Sequence, residues 1–168
     1  MKKIALTQGY FATVDDEDYE RISRFKWCVL RKKNEINIYA KRLSHKKEGG
    51  KKRTILMHRF ILGTPSNELV VDHINGNGLD NRRKNLRIVT GHINNLNRRG
   101  PTKNNRSGYR GVIKTPSNRW QARGKHEGKN VNLGFFDKLE EAAKVAKEYR
   151  EIQLKSALEA LAKNKTKP

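Results

Sequence analysis

Apolar and polar positions change period several times along the chain. FATV at 11–14 is strand-like, and Asp15 and Asp16 behind it suit the N-cap and first turn of a short helix through Ile22. FKWCVL at 25–30 alternates and predicts a strand; INIYA at 36–40 predicts its hairpin partner across residues 32–35. A polar, Gly-Gly-containing loop at 45–53 precedes TILMHRFIL at 54–62, a continuous apolar run whose period assigns it to neither strand nor helix. Short β-prone runs return at 70–74 and 87–89, separated by the turn dipeptides Asn75-Gly76 and Asn77-Gly78. Thr90 is then placed to cap a helix over 92–99. Residues 109–136 predict three short strands, and 138–162 predict a helix on which Leu139, Ala142, Ala143, Ala146, Tyr149, Ile152 and Leu158 fall near 3.6-residue spacing.

This order of elements predicts an α+β chain built from small modules. Their expected limits are 1–63 for an N-terminal mixed module, 64–99 for a strand–turn–strand–helix motif, 100–108 for a basic linker rich in Gly and Pro, and 109–168 for a three-stranded antiparallel sheet with its helix. There is no internal repeat.

Charge narrows the choice of partner. The 168 residues carry 38 Lys and Arg against 17 Asp and Glu, a formal net charge of +21. The excess runs through foldable segments: residues 81–134 hold 14 Lys and Arg and one acid, Glu127. A polyanion, double-stranded DNA above all, is the expected partner. Cys28 is the lone cysteine, so no intrachain disulfide or Cys-rich zinc knuckle is available, and a reducing cytoplasmic setting fits. The first residues lack the apolar stretch of a secretory signal, and no apolar run has the length of a membrane span. No protein partner is suggested.

The chemistry concentrates in VDHINGNGLDNRRKNLRIVTGHINNLNR at 71–98. Cleaving a phosphodiester needs an activated water, neutralisation of the charge building on phosphate, and a proton for the leaving oxygen. A histidine near its free pKa suits the role of general base, which falls on His73. A hard divalent cation, Mg²⁺ or Mn²⁺, is content with one or two protein oxygens, and Asp72 with Asn94 offers a carboxylate and an amide. Asn85 is placed to orient the base without competing for its proton. Asn75 and Asn77 suit the turn, Asn81 offers the same service, and His92 and Asp80 read as surface and turn residues. His58, inside the apolar run, reads as a core residue or one packed beside the site. A zinc site from Asp72, His73 and His92 is a poor alternative, because no soft ligand accompanies it.

Asp72-His73, Asn85 and Asn94, in that layout, resemble the ββα-metal motif of the HNH endonucleases, and most of all the phage and intron-encoded HNH homing endonucleases. The resemblance implies a general base at His73, the middle asparagine at Asn85, and metal ligands at Asp72 and Asn94, with Asn95 the alternative if the helix register shifts by one. It implies one metal ion per site and a nick in one strand. Arg82, Arg83, Arg98 and Arg99 are the expected contacts to the DNA backbone.

The C-terminal segment, with YRGV at 109–112, LGFFD at 133–137 and EEAA at 140–143, resembles the AP2 DNA-binding domain. That resemblance implies a sheet laid in the major groove and contacts from Arg110, Arg123, Lys125, Asn130 and Asn132. Alternation agrees: Trp120, Ala122 and Gly124 fall on one face of their strand, Gln121, Arg123 and Lys125 on the other. Ile113 and Thr115 stand where the plant members carry more arginine, so no target sequence transfers. A non-catalytic DNA-binding regulator is the alternative function, and a basic RNA-binding protein a more remote one.

Overall fold

The computed structural model describes residues 1–31, 37–44, 51–63, 66, 68–98, 100–102 and 104–165, the side chains of 164 and 165 excepted. The chain forms two compact units, residues 1–94 and 95–168.

In the first unit β1 (Lys2–Ala5) and β2 (Phe11–Val14) pair antiparallel across a single 3-10 turn, where Gln8 and Gly9 both take positive φ. Helix α1 (Asp16–Ser23) opens with Asp16, Glu17 and Asp18, acids that suit the positive end of the helix dipole. Asp15 holds the N-cap position, but its carboxylate does not bond the helix: it accepts the backbone N–H of Arg83 at 2.7 Å. Strands β3 (Cys28–Arg31), β4 (Ile38–Leu43) and β5 (Thr54–Leu56) form an antiparallel sheet with β4 in the middle. The apolar run at 54–62 is both things its period allowed, since β5 passes directly into α2 (Met57–Leu62). Next come β6 (Leu69–His73), β7 (Leu86–Thr90), paired antiparallel, and helix α3 (Gly91–Asn97). Thr90 caps α3 as expected, its hydroxyl accepting Ile93 N–H at 3.4 Å.

One core serves this whole unit. Ile4, Val14, Ile22, Trp27, Met57 and Ile61 cluster with Val71 and Leu86, so the apolar packing runs through the boundary expected near residue 63. The buried guanidinium of Arg42 lies over the Phe25 ring at 4.0 Å, a cation held against an aromatic face. The long loop between β6 and β7 is stitched to β2: Thr13 N–H donates to Leu79 O and Asn81 N–H to Thr13 O, both at 2.8 Å.

The second unit contains β8 (Val112–Lys114), β9 (Trp120–His126) and β10 (Lys129–Phe136), antiparallel with β9 central, and α4 (Leu139–Lys165). Glu127 and Gly128, both at positive φ, make the two-residue β9–β10 turn. Val112, Ala122, Ala142 and Ala146 form its core, joined by Trp120, Leu133 and Phe136. Small residues let α4 close on the sheet; a Cβ on Gly124 would sit 2.3 Å from the ring of Tyr149. The architecture is thus the expected α+β, with several small antiparallel sheets. No helix among the described residues is long and apolar enough to cross a membrane.

Candidate active site

Strand β6 delivers Asp72 and His73 side by side, both buried. Neighbours on a strand point to opposite faces. Asp72 is opposite Arg87 in the ladder, and its Oδ2 accepts Arg87 Nε–H at 2.9 Å. His73, the last paired residue, turns to the other side and meets the His58 ring edge-to-face at 4.9 Å between centroids, with Tyr39 at 5.9 Å. The chain turns immediately after His73.

The loop that follows is held by its own amides. Asn75 Oδ1 accepts Asn77 N–H at 2.9 Å, and Asn77 Oδ1 accepts Leu79 N–H at 3.1 Å. Asn75 Nδ2–H donates to Asp80 at 2.8 Å. Asn85 closes the mouth: its Oδ1 accepts Asn75 N–H at 3.0 Å, and its Nδ2–H donates to Asp80 O at 2.7 Å. Gly78 packs so tightly that a Cβ there would lie 2.3 Å from Ile38 O and 2.6 Å from the Tyr39 ring.

The amide at the His73 ring is Asn81, fully buried, with Oδ1 3.2 Å from Nε2. The contact expected of Asn85 is therefore made by Asn81, while Asn85 supports His73 through the loop. Asn81 Nδ2–H faces Gly78 O at 3.5 Å, which leaves Oδ1 toward the ring, an acceptor suited to the His73 tautomer protonated at Nε2. Burial lowers the His73 pKa more than the Asn81 bond and the charges of Asp72 and Asp80 raise it, so the ring is neutral at neutral pH. His58 is pushed down to about 3, chiefly by burial and further by the nearby His73 and Arg59, and Tyr39 and His58 together wall one side of His73.

The other expected site residues divide by environment. Asn94 and Asn95 are exposed on α3. Arg82 binds Asp80 through Nε at 2.7 Å and Nη2 at 2.6 Å. Arg83 binds Asp18 at 2.7 and 2.9 Å and Glu17 at 2.6 Å. Both were expected at DNA phosphates, and both are engaged by carboxylates of their own unit. Arg98 is exposed, and Arg99 lies outside the described residues. Arg110, expected at DNA, is half-buried instead, and donates to the carbonyls of Asn95 at 3.0 Å, Leu96 and Arg98. It thus caps the end of α3, whose last carbonyls lack helical partners. Burial, with Arg150 and Arg98 nearby, lowers its pKa to about 10, and it stays charged. Arg123, Lys125, Asn130 and Asn132 are exposed on the outer face of the sheet as alternation required.

A group of three or more His, Cys, Asp or Glu residues able to hold a metal is absent among the described residues. The donors expected here, the Asp72 carboxylate and the Asn94 amide, are hard oxygens, few in number. That set fits a hard divalent cation whose remaining ligands are water and phosphate, and does not fit zinc. In this structure Asp72 Oδ2 is occupied by the Arg87 guanidinium, Nη2 at 2.8 Å.

The residues that this geometry adds are Asn81, Tyr39 and Arg87, and His58 packs beside His73. Among known proteins, residues 57–96 match the family model described as HNH endonuclease. The matched span opens at α2, with His58, and covers the β6–β7 pair and most of α3. It supports a nuclease acting on DNA. No curated protein and no solved structure matches the chain.

Proposed function

We propose that this protein is a divalent-metal-dependent DNA endonuclease of the homing-endonuclease kind, which nicks one strand at a site read by its AP2-like C-terminal unit. The observation that carries this reading is a buried histidine held by a buried amide, inside the stretch that matches HNH endonucleases.

Held at Nε2 by Asn81, the His73 ring is the base that takes the proton from the attacking water. Burial keeps the ring uncharged, so the base is ready at neutral pH. Asp72 and Asn94 would hold the Mg²⁺ or Mn²⁺ ion. When bound, that ion supplies charge stabilisation to the phosphate and to the departing oxygen. Asn85 and the loop amides fix the position of the turn, and Tyr39 and His58 exclude water from the rear of the ring. Arg98 and the outer sheet face, with Arg123, Lys125, Asn130 and Asn132, are the surfaces offered to DNA.

The test is incubation of the purified protein with supercoiled plasmid or phage DNA and Mg²⁺ or Mn²⁺. Nicked circles that vanish with chelator, and with His73→Ala, are expected. A wild-type protein that binds DNA and leaves every substrate intact would instead be a non-catalytic regulator. Equal cutting by His73→Ala would place the base elsewhere.

A further inference from the structure

The outer face of the second unit's sheet is not uniformly polar. Residues paired directly across antiparallel strands share a face. Ile113 and Phe135 flank Gln121 in one such row, while Arg123 faces Asn132 and Lys125 faces Asn130 in the next two. Ile113 is 37% and Phe135 46% exposed.

Phe135 is outside for a specific reason. Counting by twos along β10 from Val131, Leu133 packs inward and Phe135 would follow. The register slips between Asn132 and Gly134, where Gly134 takes a φ of 126°. Phe136 therefore joins the core and Phe135 is turned outward. A bulge re-aims a side chain, and here it places an aromatic ring on a cationic surface at a cost in apolar burial.

We propose that Ile113, Gln121 and Phe135 form a row that reads adenine–thymine pairs in the major groove, Gln121 on adenine and the two apolar side chains on the thymine methyl. This rests on the reading of the outer sheet face as the DNA-binding face. Glutamine pairs with the adenine N6 and N7 edge, and the thymine methyl is the one apolar group displayed in the major groove. Three strands span about 10 Å at their ordinary spacing, within the groove's width. Gln121 Oε1 already accepts Arg123 Nε–H at 2.9 Å, which fixes the amide beside the cationic row. Arg123 and Lys125 supply the charge that draws the face to DNA.

The experiment uses the full chain without divalent metal, so that binding is measured apart from cleavage. Duplexes are selected from a random pool, and each thymine of the selected site is replaced in turn by uracil, which lacks only the methyl. At least one replacement should weaken wild-type binding about fourfold, the worth of one buried methyl-sized group. That penalty should disappear in Phe135→Ala or Ile113→Ala, and Gln121→Ala should relax discrimination at the neighbouring adenine about tenfold. Uracil tolerated at every position, or a selected site without A·T pairs, overturns the proposal while leaving the sheet as a DNA-binding face. Undiminished binding by the Arg123→Ala, Lys125→Ala double variant removes that face from DNA altogether, and the proposal with it. Phe135 and Ile113 are exposed, and circular dichroism of their variants confirms the fold against which these outcomes are read.

Discussion

In the proposed active site the smallest assembly is His73 with Asn81, one ring and one amide at 3.2 Å. The base must be neutral to act, and its pKa lies below the usual 6.5. Nicking should therefore rise with pH through a value under 6.5 and stay level above it, as a pH–rate profile would record. Asn81→Asp puts a carboxylate at Nε2, stabilises the imidazolium and should move that acid limb upward. Asn81→Ala should slow cutting by about tenfold or more, and His73→Ala by about a hundredfold or more, with DNA affinity kept in both. Retained cutting in Asn81→Ala would count against its role at the ring. Asp72 and His73 were legible as candidates because few residue types perform the chemistry proposed for them. Asn81 was not, because the stretch is full of asparagines that differ only in what the folded loop brings near each one. Arg110 misled for a related reason: an arginine in a basic segment looks like a DNA contact until a helix end is seen to need it.

Between elements, close packing and ion pairs decide stability. Gly78→Ala forces a Cβ into the carbonyl of Ile38, so it should cost about 3 kcal/mol and lower the melting temperature and nicking together. Gly91, at the start of α3, has nothing within 4 Å of its missing Cβ, and Gly91→Ala should be neutral or slightly stabilising, which makes it the control. Helix α1 is tied to the turn before β7 through Asp18 and Arg83. Burial raises the Asp18 pKa, but the bonds from Arg83 and Arg21 outweigh it and hold the carboxyl below its ordinary value. This contribution is complete above the unfolded value and is lost as pH falls through the folded one. Asp18→Asn should remove that part of the acid sensitivity and cost about 1–2 kcal/mol at pH 7, discounted because Arg83 is half exposed. Thermal melts of both proteins from pH 7 downward check it. Periodicity revealed most elements, including β6, β7, α3 and the C-terminal sheet. It left residues 54–62 open, because a strand passing directly into a helix shows neither period cleanly.

For the molecule as a whole, charge dominates association. If about six to ten phosphates are neutralised, DNA affinity should fall by about a thousandfold or more between 50 and 200 mM salt. A slope near zero in a salt titration would contradict a phosphate-driven contact. The net charge of +21 made a nucleic-acid partner legible at once, whereas the extent of each unit was not. Punctuation near Pro65 suggested a boundary, but Ile4 and Val14 pack in one cluster with Val71 and Leu86, contacts far apart in sequence that no local pattern announces. This shared packing bears on recombination. A chimera that transplants the stretch matching HNH endonucleases, residues 57–96, onto another DNA reader would leave seven of the eleven buried core residues behind. The transferable cassette starts at the first strand, and its graft point belongs after Asn97, because the division between units falls inside α3 and a junction there would sever the helix that carries Asn94.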